Sequence, residues 1–100
     1  MSPTTTTRQT RVTTVTPCPR VAFRDLGSEA VLLDPEKGTY FGLNEVGTRV
    51  WTLARTGQTL GAIQDELVQE FDAEPERIWH DLVVLVGELE AHGLVELAPA

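Results

Sequence analysis

The spacing of apolar residues along this chain changes character near residue 44, from a period of two to a period near 3.6. From Arg20 onward, Val21 and Phe23 alternate with Ala22 and Arg24, the alternation of a half-buried strand. A break at Leu26, Gly27 and Ser28 leads into Glu29-Ala30-Val31-Leu32-Leu33, an apolar run of strand length that stops at Asp34-Pro35-Glu36-Lys37-Gly38. Pro35 presets φ for the first turn position and Gly38 can take positive φ, so a hairpin is predicted. The chain returns as Thr39-Tyr40-Phe41-Gly42-Leu43, with Thr39, Phe41 and Leu43 on one face and Tyr40 and Gly42 on the other.

Beyond that point the pattern is helical. Asn44 is placed to cap a first helix, with Glu45 complementing its dipole. Val46, Val50, Leu53 and Ala54 recur at helical spacing beside Trp51, and Gly57 offers a C-cap. Thr59 caps a second helix with Leu60, Ile63, Leu67 and Phe71 in one stripe, while Gln64, Asp65, Glu66 and Gln69 are expected to face water. After Asp72 to Glu74, Pro75 suits the first position of a third helix, which runs to about His92 and ends at Gly93. Leu94 to Leu97 can add a short extended piece. The pattern is α+β: a three-stranded antiparallel sheet followed by a three-helix bundle.

At 100 residues the chain can build one core and not two. Residues 1 to about 17, rich in Thr with few large apolar groups, are expected to form a disordered tail, leaving 18–100 as the domain. The longest apolar run, Leu82 to Val86, is far below the ~20 residues of a membrane span. The N-terminal residues lack the apolar block of a secretory signal, so a cytoplasmic location is expected. Cys18, between Pro17 and Pro19, has no partner for a disulfide or a Cys-based metal cage, which makes it an incidental thiol. The net charge of −7, from 15 Asp and Glu against 8 Lys and Arg, repels phosphate backbones.

Two features point to binding. On the third helix Leu85, Ile78, Leu89, Leu82, Val86, Trp79 and Val83 follow one another around an arc of roughly 160°, wider than the ~100° one core contact needs. Trp79, Val83 and Val86 lie at one margin and can border a groove; burial of both margins in the same domain fits the pattern equally well, and the sequence leaves open which margin a neighbour covers. The strand Thr39 to Leu43, if it lies at the sheet edge, offers main-chain groups onto which an extended peptide can add. Tyr40 can equally pack its ring with a wet hydroxyl, and Gly42 can mark a bulge.

Other functions fit less well. A DNA-reading third helix would expose Glu76, Asp81, Glu88 and Glu90 with only Arg77 against them. As for catalysis, His80 and Asp81 are neighbours that point about 100° apart on a helix, and neither His80 nor His92 has a partner at motif spacing. There is no Gly-rich phosphate loop.

In their order and spacing, the stretch Asp34 to Asn44, then Gly47, Trp51, Gly57 and Thr59, the Phe71-Asp72 to Pro75 junction and the Leu89 to Val95 ending with Gly93 closely resemble the PqqD-like family. The resemblance spans roughly Val21 to Leu97, and within the family it is strongest to stand-alone members from lasso-peptide pathways. It implies a winged helix-turn-helix-like fold and a non-catalytic, cofactor-free role in recognising precursors of ribosomally made, post-translationally modified peptides. A leader peptide would add to the third strand, in a groove with the third helix. By position, Thr39, Tyr40, Phe41, Gly42 and Leu43 would supply the edge, and outward parts of Ile78, Trp79, Leu82, Val83 and Val86 the wall. The implied partners are the precursor leader, a separate leader peptidase and a lactam synthetase; nucleic acid and membrane are not expected. An acidic winged helix-turn-helix regulator of transcription is the alternative. Glu74 departs from the family pattern, standing before Pro75 where a better capping residue is usual.

Overall fold

The strands and helices of the computed structural model, which describes residues 9–99, follow the order β1 (Thr14–Pro17), β2 (Ala22–Asp25), β3 (Ala30–Asp34), β4 (Thr39–Leu43), α1 (Glu45–Ala54), α2 (Leu60–Phe71), α3 (Pro75–Ala91) and β5 (Val95–Ala98). Strands β2, β3 and β4 form an antiparallel sheet in that order, with β3 in the centre. The α+β architecture expected from the sequence is therefore present.

One face of this sheet packs on the helices, because Ala30, Leu32, Phe41 and Leu43 alternate with residues that point away. Leu32 is fully buried against a core that includes Val50, Trp51, Leu60, Ile63, Leu67, Leu82, Val86 and Leu89. The other face carries Val31, Leu33, Tyr40 and Gly42, and Tyr40 is 77% exposed. At the β3–β4 turn Gly38 has φ +68°, the left-handed backbone that lets the chain reverse there.

Residues 14–17 correct the expected tail. They form β1, which pairs antiparallel with β5 from Thr14 opposite Ala98 to Pro17 opposite Val95, and Val15 is 1% exposed. The segment before β1 also docks. The amides of Leu60 and Gly61, among those that the first turn of α2 leaves without intrahelical acceptors, donate to the carbonyls of Thr13 and Arg11 at 2.8 and 2.9 Å. A Cβ on Gly61 would stand 2.9 Å from the Arg11 carbonyl oxygen, so only glycine admits this approach. Residues 1–8 of the expected tail lie outside the described residues.

A second correction concerns Gln64, which does not face water. It is 8% exposed, accepts from Arg11 Nη1 and donates through Nε2 to the Pro75 carbonyl at 2.9 Å. One side chain thus ties the N-terminal segment, α2 and the start of α3 together. The helix ends follow the sequence signals: Asn44 accepts from the Gly47 amide at 2.8 Å and Thr59 from the Ala62 amide at 3.2 Å. Glu74 makes no side-chain cap, and Pro75 stands at the start of α3.

Candidate functional site

In an antiparallel pair the residues alternate between those that bond across the pair and those whose main-chain groups point the other way. The Leu26 amide donates to the Glu29 carbonyl at 2.8 Å, which fixes the alternation through the sheet. Given the registers Arg24 opposite Val31 and Ala22 opposite Leu33, Val31 and Leu33 bond to β2, so Ala30, Leu32 and Asp34 bond to Leu43, Phe41 and Thr39 of β4. Tyr40 and Gly42 are left with N–H and C=O directed to the free edge. Among the described residues no other strand or side chain takes up those groups.

Beside this edge, on the helical side, lies a hollow of about 270 Å³ lined by Phe41, Gly42, Leu43, Asn44, Gly47, Leu85 and Glu88. At Gly47, which lines it, a Cβ would lie 3.2 Å from Leu43 Cδ2 and 3.3 Å from Asn44 Oδ1, so the start of α1 sits closely against the end of β4. Phe41 meets His92 edge to face, and His92 Nδ1 donates to the Glu88 carbonyl at 2.8 Å. These contacts hold the C-terminal turns of α3 against β4.

The base of the hairpin is fixed electrostatically. Asp34, 1% exposed, accepts from Arg20 Nε and Nη2 at 3.3 and 3.2 Å and from the amides of Glu36 and Lys37 at 3.1 and 3.4 Å. The Arg20 hydrogen bonds hold its carboxyl below the usual carboxylate range, with burial opposing them. Arg20 Nη2 also donates to the Gly93 carbonyl at 3.0 Å and Lys37 Nζ to the His92 carbonyl at 3.4 Å. Both cations therefore meet the negative end of α3.

The structure gathers only part of the wall expected from the sequence. Thr39 to Leu43 do form an edge strand, and Phe41, Gly42 and Leu43 line the hollow. Ile78, Leu82 and Val86 are 5%, 2% and 0% exposed, so they have no outward surface to offer and belong to the core. Trp79 is half-buried against the core and does not line the hollow. Neither does Val83, whose carbonyl accepts from Gln9 Nε2 at 3.0 Å beneath the N-terminal segment. The hollow is bordered instead by the opposite margin of α3, through Leu85 and Glu88. Leu85 stood at the end of the apolar arc; the missing signal was the N-terminal segment, which covers the Val83 side and leaves the other free.

Among the described residues no three His, Cys, Asp or Glu side chains are placed to hold a metal ion, and no helix is long and apolar enough to cross a membrane.

A three-stranded sheet, open along β4 and packed against a three-helix bundle, defines a winged helix-turn-helix-like α+β domain. Comparison with known proteins assigns it further. Residues 29–95 match the family described as Coenzyme PQQ synthesis protein D (PqqD), and the chain belongs to that family. It is similar to TbiB1 in a solved complex with the TbiA(beta) leader peptide, at 31% identity and a TM-score of 0.76, over 81% of this chain and 94% of TbiB1. A solved lasso peptide synthetase B1 complexed with the leader peptide shares the fold at 22% identity and a TM-score of 0.74, over 82% of this chain and 96% of that one. No curated protein matches the chain.

Proposed function

We propose that this domain recognises the leader peptide of a ribosomally synthesised lasso-peptide precursor by taking it up as a strand on the free edge of β4, and that it presents the bound precursor to a separate leader peptidase. The observation that carries this reading is the outward main chain of Tyr40 and Gly42 beside a hollow to which Phe41, Leu43 and Leu85 contribute. Backbone pairing at those residues supplies affinity, and side chains of the added strand that point toward α3 enter the space between Phe41, Leu43 and Leu85. The solved complex of the similar TbiB1 with a leader peptide supports the choice of ligand. The domain acts by binding and catalyses nothing itself; holding precursor and peptidase together raises their effective concentration without new chemistry. A lactam synthetase acting on the released core is a further partner of the same assembly.

Calorimetric titration with a panel of lasso leader peptides, the TbiA(beta) leader included, tests the reading. Saturable binding by at least one leader, lost when the same peptide is N-methylated at the residues facing β4, is the expected result. Binding that survives N-methylation rules out strand addition.

A further inference from the structure

The sheet has a second open edge, and a sizeable hollow lies beside it. By the alternation that exposes Tyr40 and Gly42, Phe23 and Asp25 of β2 direct their N–H and C=O away from β3, and no main-chain hydrogen bond of the described residues uses them. Next to Phe23 is a hollow of about 440 Å³ lined by residues 16–19, Val21, Phe23, Trp51, Ala54, Arg55 and Gly57. Val21, Phe23 and Ala54 supply apolar side chains to its wall, and Trp51 behind them is 2% exposed.

The lining of this hollow includes a cation, Arg55. Arg11, Arg20 and Arg49 are each paired with a carboxylate. Arg55 is not: its guanidinium carbon lies 5.7 Å from the Phe23 ring centroid, and among the described residues it has no anionic partner. An acidic domain of net charge −7 thus presents a cation without a carboxylate at this hollow, whereas the β4 hollow carries Glu88.

We propose that the β2 edge is a second docking site, for an extended segment of a partner protein bearing an apolar side chain and, two residues away, a carboxylate. The spacing follows from strand geometry. A residue opposite Phe23 points to the same face as Phe23 and enters the hollow, and the residue two places along shares that face, within reach of Arg55. The carboxylate is the complement of the free guanidinium. A second copy of this chain is the poorer occupant, because it would bring two bodies of charge −7 together. This site is independent of leader binding at β4 and leaves that edge free, so one domain can hold a precursor and a partner protein at once.

Cys18 is a built-in reporter, being the only cysteine of the chain and part of the wall of this hollow. The probe is the acetylated, amidated pentapeptide Thr-Leu-Thr-Glu-Thr, compared with the same peptide carrying Lys in place of Glu. At millimolar concentration the Glu peptide should slow alkylation of Cys18 and shift the amide resonances of Phe23 and Asp25. The Lys peptide should bind about fivefold more weakly or less, the worth of one exposed ion pair. Arg55→Glu should reverse that preference, and Tyr40→Pro should leave it unchanged. The proposal is overturned if the Glu peptide gives no protection, if both peptides protect equally, or if the shifts fall on Tyr40 and Gly42. It is equally overturned if sedimentation shows a dimer of the chain that Arg55→Glu dissolves, for then a second copy occupies the site.

Discussion

Arg20 and Asp34 form the joint between the β3–β4 hairpin and the end of α3. Asp34 accepts two hydrogen bonds from the Arg20 guanidinium, and the same guanidinium donates to the Gly93 carbonyl. The hairpin that carries β4 is thus locked to the helix beside the proposed site through one ion pair whose acid is buried.

The pH dependence of stability follows from that pair. The Asp34 carboxyl is held below its ordinary value by Arg20, and the Glu70 carboxyl is lowered by its hydrogen bonds from Arg49. A carboxyl whose folded value is depressed contributes stability that is present above its unfolded pKa of about 4 and is lost as pH falls through its folded value. Thermal unfolding followed by circular dichroism should show Asp34→Asn melting below the parent at pH 7. The gap should narrow as the pH drops below about 4.

Proline substitutions separate the free side of β4 from its bonded side. Pro is tolerated at an edge where the missing N–H faces solvent, but it removes a ladder bond elsewhere. Tyr40→Pro should fold and bind a leader peptide at least about tenfold more weakly, a loss of ~1.4 kcal/mol consistent with one or more missing hydrogen bonds. Phe41→Pro, whose N–H bonds to β3, should fail to fold stably.

The wall of the groove is tested by truncating α3 on its two margins. Leu85→Ala should weaken leader binding by several-fold, on the scale of ~1 kcal/mol for a partly buried aliphatic contact. Val83→Ala should leave affinity unchanged, since Val83 does not line the hollow and its carbonyl already accepts from Gln9. Calorimetry on both variants gives the comparison.

The docking of the N-terminal segment makes a stability prediction. Gly61→Ala would place a methyl group 2.9 Å from the Arg11 carbonyl, and overpacking of this kind costs about 1–3 kcal/mol. Removing residues 1–17 should cost at least ~2 kcal/mol, because Val15 then leaves the core. Urea denaturation measures both.

Much of this was legible in the sequence where local chemistry decides conformation. The Asp34 to Gly38 turn, the Asn44 and Thr59 caps and the start of α3 at Pro75 all announce themselves through side chains acting on their own backbone. The same was not true where distant segments meet. Thr14 to Pro17 look like the continuation of a polar tail, and only the pairing with β5, some eighty residues on, gives them a reason to be ordered. Gln64 lies on the polar side of its helix until Arg11 and Pro75 enclose it. The α3 arc is wide enough to border a groove on either side, yet which margin meets the hollow depends on what the N-terminal segment covers. Tyr40 and Gly42 were within reach of sequence logic, since their parity follows once the hairpin turn is placed.

The central claim is that the outward amides of Tyr40 and Gly42 pair with a bound leader strand, and amide hydrogen exchange measured residue by residue tests it most directly. In the free domain those two amides should exchange quickly while Phe41 is protected; on saturation with a leader peptide both should slow by at least about tenfold, with Phe23 and Asp25 unaffected. A leader that binds tightly yet leaves Tyr40 and Gly42 exchanging as before would contradict the account.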